Sequence, residues 1–589
     1  MARSQIPNLQ KDSYTMAPLA IENQLSTSQS VLAICLFALV IHQIFKRVEP
    51  LSISVHLALL CTPVLLGFQL LRGTMPVPWA AAVSFSTFVS TLLVSIGLYR
   101  LSPFHPLARY PGPIACKLSK FWMACLSFGG YQHRYVKRLH EYYGDVVRIG
   151  PNELSFRDPS VLQAMLGTGG LPRGPYLASR ALASTDFHNI DLPFVAIMDP
   201  VVHSERRKPW LRALSATAIK AYEPMVANRA NQLMQVLREQ RGEVPIGKFF
   251  NYFAYDFLCD MAFGGGSELL RDGDKDNVWQ LIEESIQGCT FISHVPYLGV
   301  YFGILPGLRL AVDRLQAFTK RFTLKRIERG SEIKDMFHYL NNEDQPEKPP
   351  TPLQYLLEDG IVAIIAGSDT TSGALTGLVF CLLTNPSALK RLQAEIDQFY
   401  PPEEDPCNPE HHRDMHYLTA VINETLRLYP PVPTGSQRRV PRRSQGVMLG
   451  PYPVPEGTTV TLPPYTVHRD PRNFSPFPED FWPERWLVAG EKSSLSDALA
   501  NAPADEADHT ATAAFVHNDG AFFPFSHGPE NCVAKQLAMH EMRTVTVALL
   551  QNFELRLRPG WGAKEYDEGF KDYFVTTRPD VPVVLRARY

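Results

Sequence analysis

The chain has 589 residues, a formal net charge of −2, 45% apolar and 20% charged residues. That composition excludes a disordered or fibrous chain and offers no global positive charge for nucleic-acid binding, which relies on Lys and Arg neutralising phosphates. Its nine cysteines form no C-x-x-C pair and no cluster, which argues against both a zinc site and a secreted disulfide framework.

Three apolar stretches fill the first hundred residues: Val31 to Phe45, Leu51 to Leu71 and Val77 to Tyr99. A hydrocarbon core about 30 Å thick needs about 20 apolar residues, so the second and third stretches are predicted to span a membrane and the first is short for a span. Two or three spans follow. The apolar region starts late, comes in several pieces and ends in no small-residue cleavage site, unlike a signal peptide. Lys46 and Arg47 close the first stretch, and Arg100 and Arg109 follow the third. Basic loops stay cytoplasmic, so three spans put the remainder in the cytosol; Arg72 opposes this weakly, and two spans would place the amino terminus differently.

Residues 1–100 are therefore read as a membrane anchor. The Pro-rich run His105 to Pro113 makes 101–113 a stiff hinge, because proline fixes φ and bars helix in the residue before it. Residues 114–589 form one body, since the charged, Pro-rich stretch Asn341 to Pro352 is too short to divide domains. Helical periodicity dominates this body. Strands are predicted at Asp145 to Ile149 and Thr458 to Leu462.

The segment His203 to Arg212, H-S-E-R-R-K-P-W-L-R, reads as a basic helix with His203 and Arg207 on one face. A helix over Tyr355 to Thr384 carries A-G-S-D-T-T, Ala366 to Thr371. Another, Leu418 to Leu428, holds Glu424 and Arg427 three residues apart, which alone is an ordinary ion pair. The run F-W-P-E-R-W contains Arg485. Gly490 to Asp519 shows neither periodicity and reads as an inserted surface loop. Last comes F-F-P-F-S-H-G-P-E-N-C-V-A-K-Q-L-A, Phe522 to Ala538, leading into a helix over Val533 to Ala548.

That last segment resembles the haem-ligand loop of the cytochrome P-450 family, with Phe525, Gly528 and Cys532 at the family's spacing. Ala366 to Thr371, Glu424 with Arg427, and Arg485 are similar to further motifs of the family and stand in its order, so the resemblance spans about His105 to Tyr589. It implies a mainly α (α+β) fold with a small β region after the transmembrane helices. It implies haem b, iron protoporphyrin IX, as cofactor, with Cys532 as a thiolate ligand whose electron density favours O–O cleavage. Gly528 would turn the backbone so that amides aim at the sulfur, and Phe525 would shield it. Glu424, Arg427 and Arg485 would lock the proximal core. Thr370 would steady dioxygen and Asp369 relay protons to it, with Gly367 letting the helix open and a Thr hydroxyl holding water there instead of bonding its own turn. His203, Arg207, Trp210 and Arg438 would hold the haem carboxylates, and Arg206, Lys208 and Arg212 would form a solvated face or steer an acidic electron donor.

Two positions depart from the family pattern: Glu530 stands where a basic residue is usual, and Ala534 where a glycine is usual. Like charges about 4 Å apart repel by about 1 kcal/mol in water, so the Glu530 side chain is expected to point away from the carboxylates. Ala534 adds a methyl group toward the porphyrin. The resemblance implies a monooxygenase that inserts one atom of O2 into a C–H or C=C bond of a lipophilic small molecule, lined by Ile361 to Ala366 and the turn Pro431 to Gly435. A terpenoid or other secondary metabolite is the first expectation, by similarity to fungal members. The resemblance and the anchor together imply electrons from NADPH through a membrane-bound flavoprotein reductase, and no G-x-G-x-x-G follows a strand here to bind NADPH in this chain. The expected place is the endoplasmic reticulum membrane, multi-pass, with the catalytic body facing the cytosol. A haem-thiolate isomerase and a non-catalytic haem-binding membrane protein stay open as alternatives.

Overall fold

Ser26 opens the first helix with a reciprocal cap. Its Oγ accepts the Gln29 N–H at 3.3 Å while Gln29 Oε1 accepts the Ser26 N–H at 2.9 Å. The helix runs Thr27–Arg47, and Lys46 and Arg47 complement its carbonyl end. With its polar ends included it has 21 residues, enough to cross a bilayer, as do Ile53–Leu71 and Val77–Leu101. The computed structural model describes residues 25–50, 52–181, 192–302, 310–330, 333–503 and 514–589. Residues 1–24 of the expected anchor lie outside them.

The chain divides into two units, Met1–Tyr99 and Arg100–Tyr589. In the first, Ile34, Ala38, Leu71, Ala80 and Phe88 pack inward, whereas Leu32, Leu65, Phe85 and Leu93 are exposed. Large apolar side chains on the outside of a helix bundle suit lipid rather than water. A fourth helix meets the same length and composition test, Leu353–Thr384. It is apolar for another reason, since from Ser368 to Leu382 almost every face is buried inside the second unit.

That helix is the axis of the second unit. Ile246–Phe263 lies along it, and His416–Leu428 and Lys535–Asn552 pack on its other sides. Strand content is small. The largest sheet takes Val146–Gly150, Glu153–Phe156, Thr459–Thr461 and Arg438–Arg439 in that order, with Glu153 opposite Thr459 and Arg438 opposite Val460. An isolated bridge joins Arg173 to Arg438 and so brings a distant segment to the sheet edge. A second sheet orders Phe553–Leu557, Pro582–Ala587 and Glu243–Pro245.

Two segments are more ordered than their composition predicts. In the Pro-rich run expected as a hinge, Pro111 O accepts the Arg148 N–H at 2.7 Å and the Tyr110 hydroxyl donates to Pro453 O at 2.6 Å, so the run is fastened to the catalytic body. In the expected loop Gly490 to Asp519, Ser494 caps a short helix, Leu495–Leu499, and Val516–His517 pairs with Phe474–Ser475. The anchor of this segment is the buried Trp482, whose Nε1 donates to Ala498 O at 3.2 Å. Residues 504–513 of that loop lie outside the described residues.

Candidate active site

A cavity of about 480 Å³ lies between the axial helix and the loop that carries Cys532. The loop is shaped by its backbone. Gly528 has φ +72°, and a Cβ there would collide with the Leu166 carbonyl oxygen, so both the conformation and the close approach require glycine. The Cys532 N–H donates to Phe525 O at 2.9 Å and the Asn531 N–H to Gly528 O at 3.2 Å, which closes the turn. Cys532 is thereby deep in the protein yet open to the cavity, which Phe525 and Ala534 also line. Burial pushes its thiol up, while the Ala534 amide bonded to the sulfur and the charges of Arg207 and Lys535 pull it down. Cys289 lines the same cavity from the helix Val278–His294.

Opposite stand Ala366, Gly367 and Thr370. The expected opening of the helix at Gly367 is absent: Leu353–Thr384 is continuous and Thr370 Oγ1 donates to its own turn, at 2.7 Å from Ala366 O. Leu258 packs over Gly367, where a Cβ would come within 2.6 Å of its Cδ1, and the turn is closed by ordinary helical hydrogen bonding. Asp369 is not among the residues that line the cavity. It is buried, and its Oδ2 has no hydrogen-bond partner. Burial raises its carboxyl to about 7 against the opposing charge of Arg578, with Glu283 adding to the rise. Arg578 Nη2 donates to Thr576 Oγ1 at 2.7 Å and to the Asp369 carbonyl at 3.4 Å. Its guanidinium occupies the space that a side chain at residue 373 would fill, so Gly373 is what admits it. Arg578, Glu283 and Gly373 were not singled out from the sequence, because none stands in a motif.

On the cysteine side, Glu424, Arg427 and Arg485 meet in a dry core. Arg427 Nε and Nη2 donate to the two Glu424 oxygens at 2.9 and 2.8 Å, and Arg485 Nε donates to Oε1 at 3.0 Å. Trp486 Nε1 and the Trp482 N–H complete the carboxylate's partners at 2.9 and 3.1 Å. Spare arginine donors reach backbone carbonyls of His468, Asp480, Pro476 and Phe477, tying the segment before the cysteine loop to this helix. Burial alone would raise the Glu424 carboxyl, but Arg427 and Arg485 outweigh it and hold it down to about 2.

At the rim, the helix Pro200–Ala213 presents His203, Arg207 and Trp210. Arg207 Nη2 donates to Asn531 Oδ1 at 3.1 Å, and the Trp210 ring packs tilted against Phe194 with centroids 4.7 Å apart. Glu530 faces the cations of this rim. Its carboxylate bonds Arg438 Nη1 and pairs with Arg173 Nε at 3.0 Å, and these two cations hold its carboxyl below the usual value despite burial. Arg173 was missed in the sequence, where L-P-R-G-P gives no sign of its bridge to Arg438. The residues fit a dianionic, disc-shaped cofactor: His203 Nε2 and Arg438 Nε and Nη2 are buried donors without a protein partner, beside an apolar cavity that ends on a thiol.

The cytochrome P-450 family model matches residues 110–583. The chain belongs to this family. Relatives extend the match over nearly the whole P-450 chain. It is 31% identical over 505 residues to the cytochrome P-450 monooxygenase FCK2 of Fusarium pseudograminearum, covering 84% of this chain and 85% of that one. It is 32% identical over 551 residues to cytochrome P-450 67 of Uromyces fabae, covering 92% and 96%. It is 27% identical over 520 residues to tryprostatin B 6-hydroxylase of Aspergillus fumigatus, covering 86% and 85%. This P-450 is a haem-iron monooxygenase of small molecules that uses O2 and a redox partner, and its amino-terminal helices associate it with a membrane.

Proposed function

We propose that the protein holds haem b through Cys532 and hydroxylates or epoxidises a lipophilic small molecule, with NADPH electrons delivered by a flavoprotein reductase. The observation that carries this reading is that the Cys532 sulfur and Thr370 open on one cavity, beside a cluster of buried cations. The haem, when bound, supplies the dioxygen-activating iron, and a thiolate ligand favours O–O cleavage. The protein's own residues do the rest. The Ala534 amide and Arg207 stabilise negative charge on the Cys532 sulfur. His203, Arg207 and Arg438 would hold the haem carboxylates, with Trp210 on the same helix as His203 and Arg207. Glu424, Arg427 and Arg485 hold the loop's foundation rigid, and Phe525 and Gly528 fix its turn.

Proton supply falls to Asp369 and Thr370. A carboxyl near 7 is both donor and acceptor at neutral pH, as general acid–base work requires. Thr370 Oγ1, which lines the cavity, presents the proton there once it lets go of Ala366 O. The walls, including Ile361, Val362, Ile365 and Val432, are apolar and suit a lipophilic substrate. A terpenoid or other fungal secondary metabolite fits them, in keeping with relatives such as the tryprostatin B hydroxylase. Three spans with Lys46, Arg47, Arg100 and Arg109 on the cytoplasmic side give a multi-pass protein of the endoplasmic reticulum whose body faces the cytosol. Expression with a reductase in a microsomal host, followed by untargeted comparison of metabolites, tests this. An oxidised lipophilic product that needs NADPH and O2 is the expected result, and haem binding without any turnover contradicts it.

A further inference from the structure

Glu530 puts a carboxylate where a carboxylate-binding cluster would be expected to carry another cation. Its Oε2 is shared by Arg173 Nε, at 3.0 Å, and Arg438 Nη1, while Oε1 lies 3.9 Å from His203 Nδ1. The backbone bridge between Arg173 and Arg438 forces two guanidiniums side by side, and one shared oxygen offsets their repulsion. Having given Nη1 to Glu530, Arg438 keeps its Nε and Nη2 hydrogens, both buried and unpartnered. Those two form the parallel edge that grips a carboxylate with two hydrogen bonds. Charge points the same way. Arg173, Arg207 and Arg438 bring three positive charges and Glu530 one negative, while burial and Arg173 keep His203 neutral by pushing it down to about 4.

We propose that Glu530 is a positioning residue that neutralises one arginine, leaves the cluster with the two net charges that two propionates require, and orients the free edge of Arg438. This rests on the haem reading above. A base at residue 530 would instead crowd a fourth arginine-like charge beside Arg173 and Arg438.

The test uses the full chain, haem-loaded in detergent, and reads the ferric/ferrous midpoint potential and the rate of haem transfer to apomyoglobin. Glu530→Gln removes a negative charge and should move the midpoint positive. Arg173→Gln removes a positive charge and should move it negative, with haem lost roughly fivefold faster, the equivalent of about 1 kcal/mol. The double variant should return both quantities close to the parent's, and Arg173→Lys, which keeps the charge, should hold the midpoint near the parent's even if the glutamine variant folds poorly. Shifts of the same sign in the two single variants, or a double variant that loses haem faster than Arg173→Gln, overturn the proposal. If the parent itself shows no thiolate-ligated haem, the haem reading falls and this inference with it; if the parent's spectrum is sound and the signs do not oppose, only the role of Glu530 falls.

Discussion

Arg427 grips Glu424 through two parallel hydrogen bonds of 2.8 and 2.9 Å, and neither side chain has any exposed surface. Removing one partner of such a pair leaves a buried charge unmatched and costs about 3–5 kcal/mol. Glu424→Ala should therefore yield protein that retains little haem and unfolds at markedly lower denaturant concentration, as measured by absorbance and fluorescence in detergent.

The same carboxyl sets an acid limit. Its value falls from 4.5 to about 2 on folding, so the native state binds fewer protons than the unfolded chain between those values. The stabilisation, about 3 kcal/mol by linkage, is complete above pH 4.5 and is lost as pH falls toward 2. Unfolding midpoints measured across that window should fall more steeply for the parent than for Glu424→Gln.

Asp369 titrates in the opposite sense. Its carboxyl is raised from 3.8 to about 7, so the native state binds more protons and this group's contribution to stability, present below 3.8, is lost as pH rises to 7. If the protonated form supplies the cavity, turnover of the parent should decline as pH rises through 7. Asp369→Asn should be slower by roughly a hundredfold and lose that pH dependence. A parent profile that is flat from pH 6 to 8, by rough comparison with the mutant, would remove Asp369 from the proton path.

Thr370→Ala should keep haem and fold, because the hydroxyl contributes only a bond to its own turn, yet product formed per NADPH should fall by roughly tenfold with a matching gain of peroxide. Oxygen electrode and peroxide assays give both quantities. Equal coupling in mutant and parent would exclude this hydroxyl.

Gly528→Ala tests the loop without touching the sulfur. The substitution must strain a φ of +72° and also push the Leu166 carbonyl away, at a cost of at least about 1–3 kcal/mol. Haem content should drop in proportion, whereas Gly560→Ala, at φ +79° with open space around it, should pay the strain alone and retain haem.

The helices and the order of the motifs were legible because local pattern determines them: Leu353–Thr384 and His416–Leu428 differ from the periodicity by two residues at one end. The first span was read short because its polar ends, Thr27 to Ser30 and Lys46 with Arg47, are helical but not apolar. The partners of the site were less legible. Arg173, Arg578 and Asn531 reach it through contacts across 265, 209 and 324 residues of chain, which no local pattern encodes. Repulsion from the haem carboxylates says where the Glu530 side chain should not point, but its partner Arg173 lies 357 residues away in the chain and has no local signature. A glycine at 367 signals a weak point in a helix by local pattern, whereas in the folded protein it faces Leu258.

The haem reading of the site turns on which sulfur binds iron. The reduced carbonyl complex of a haem protein shows a red-shifted Soret band only with a thiolate ligand. Cys532→Ala should abolish that band, while Cys289→Ala, which removes the other thiol lining the cavity, should leave it intact. An unchanged band in Cys532→Ala would contradict the assignment outright.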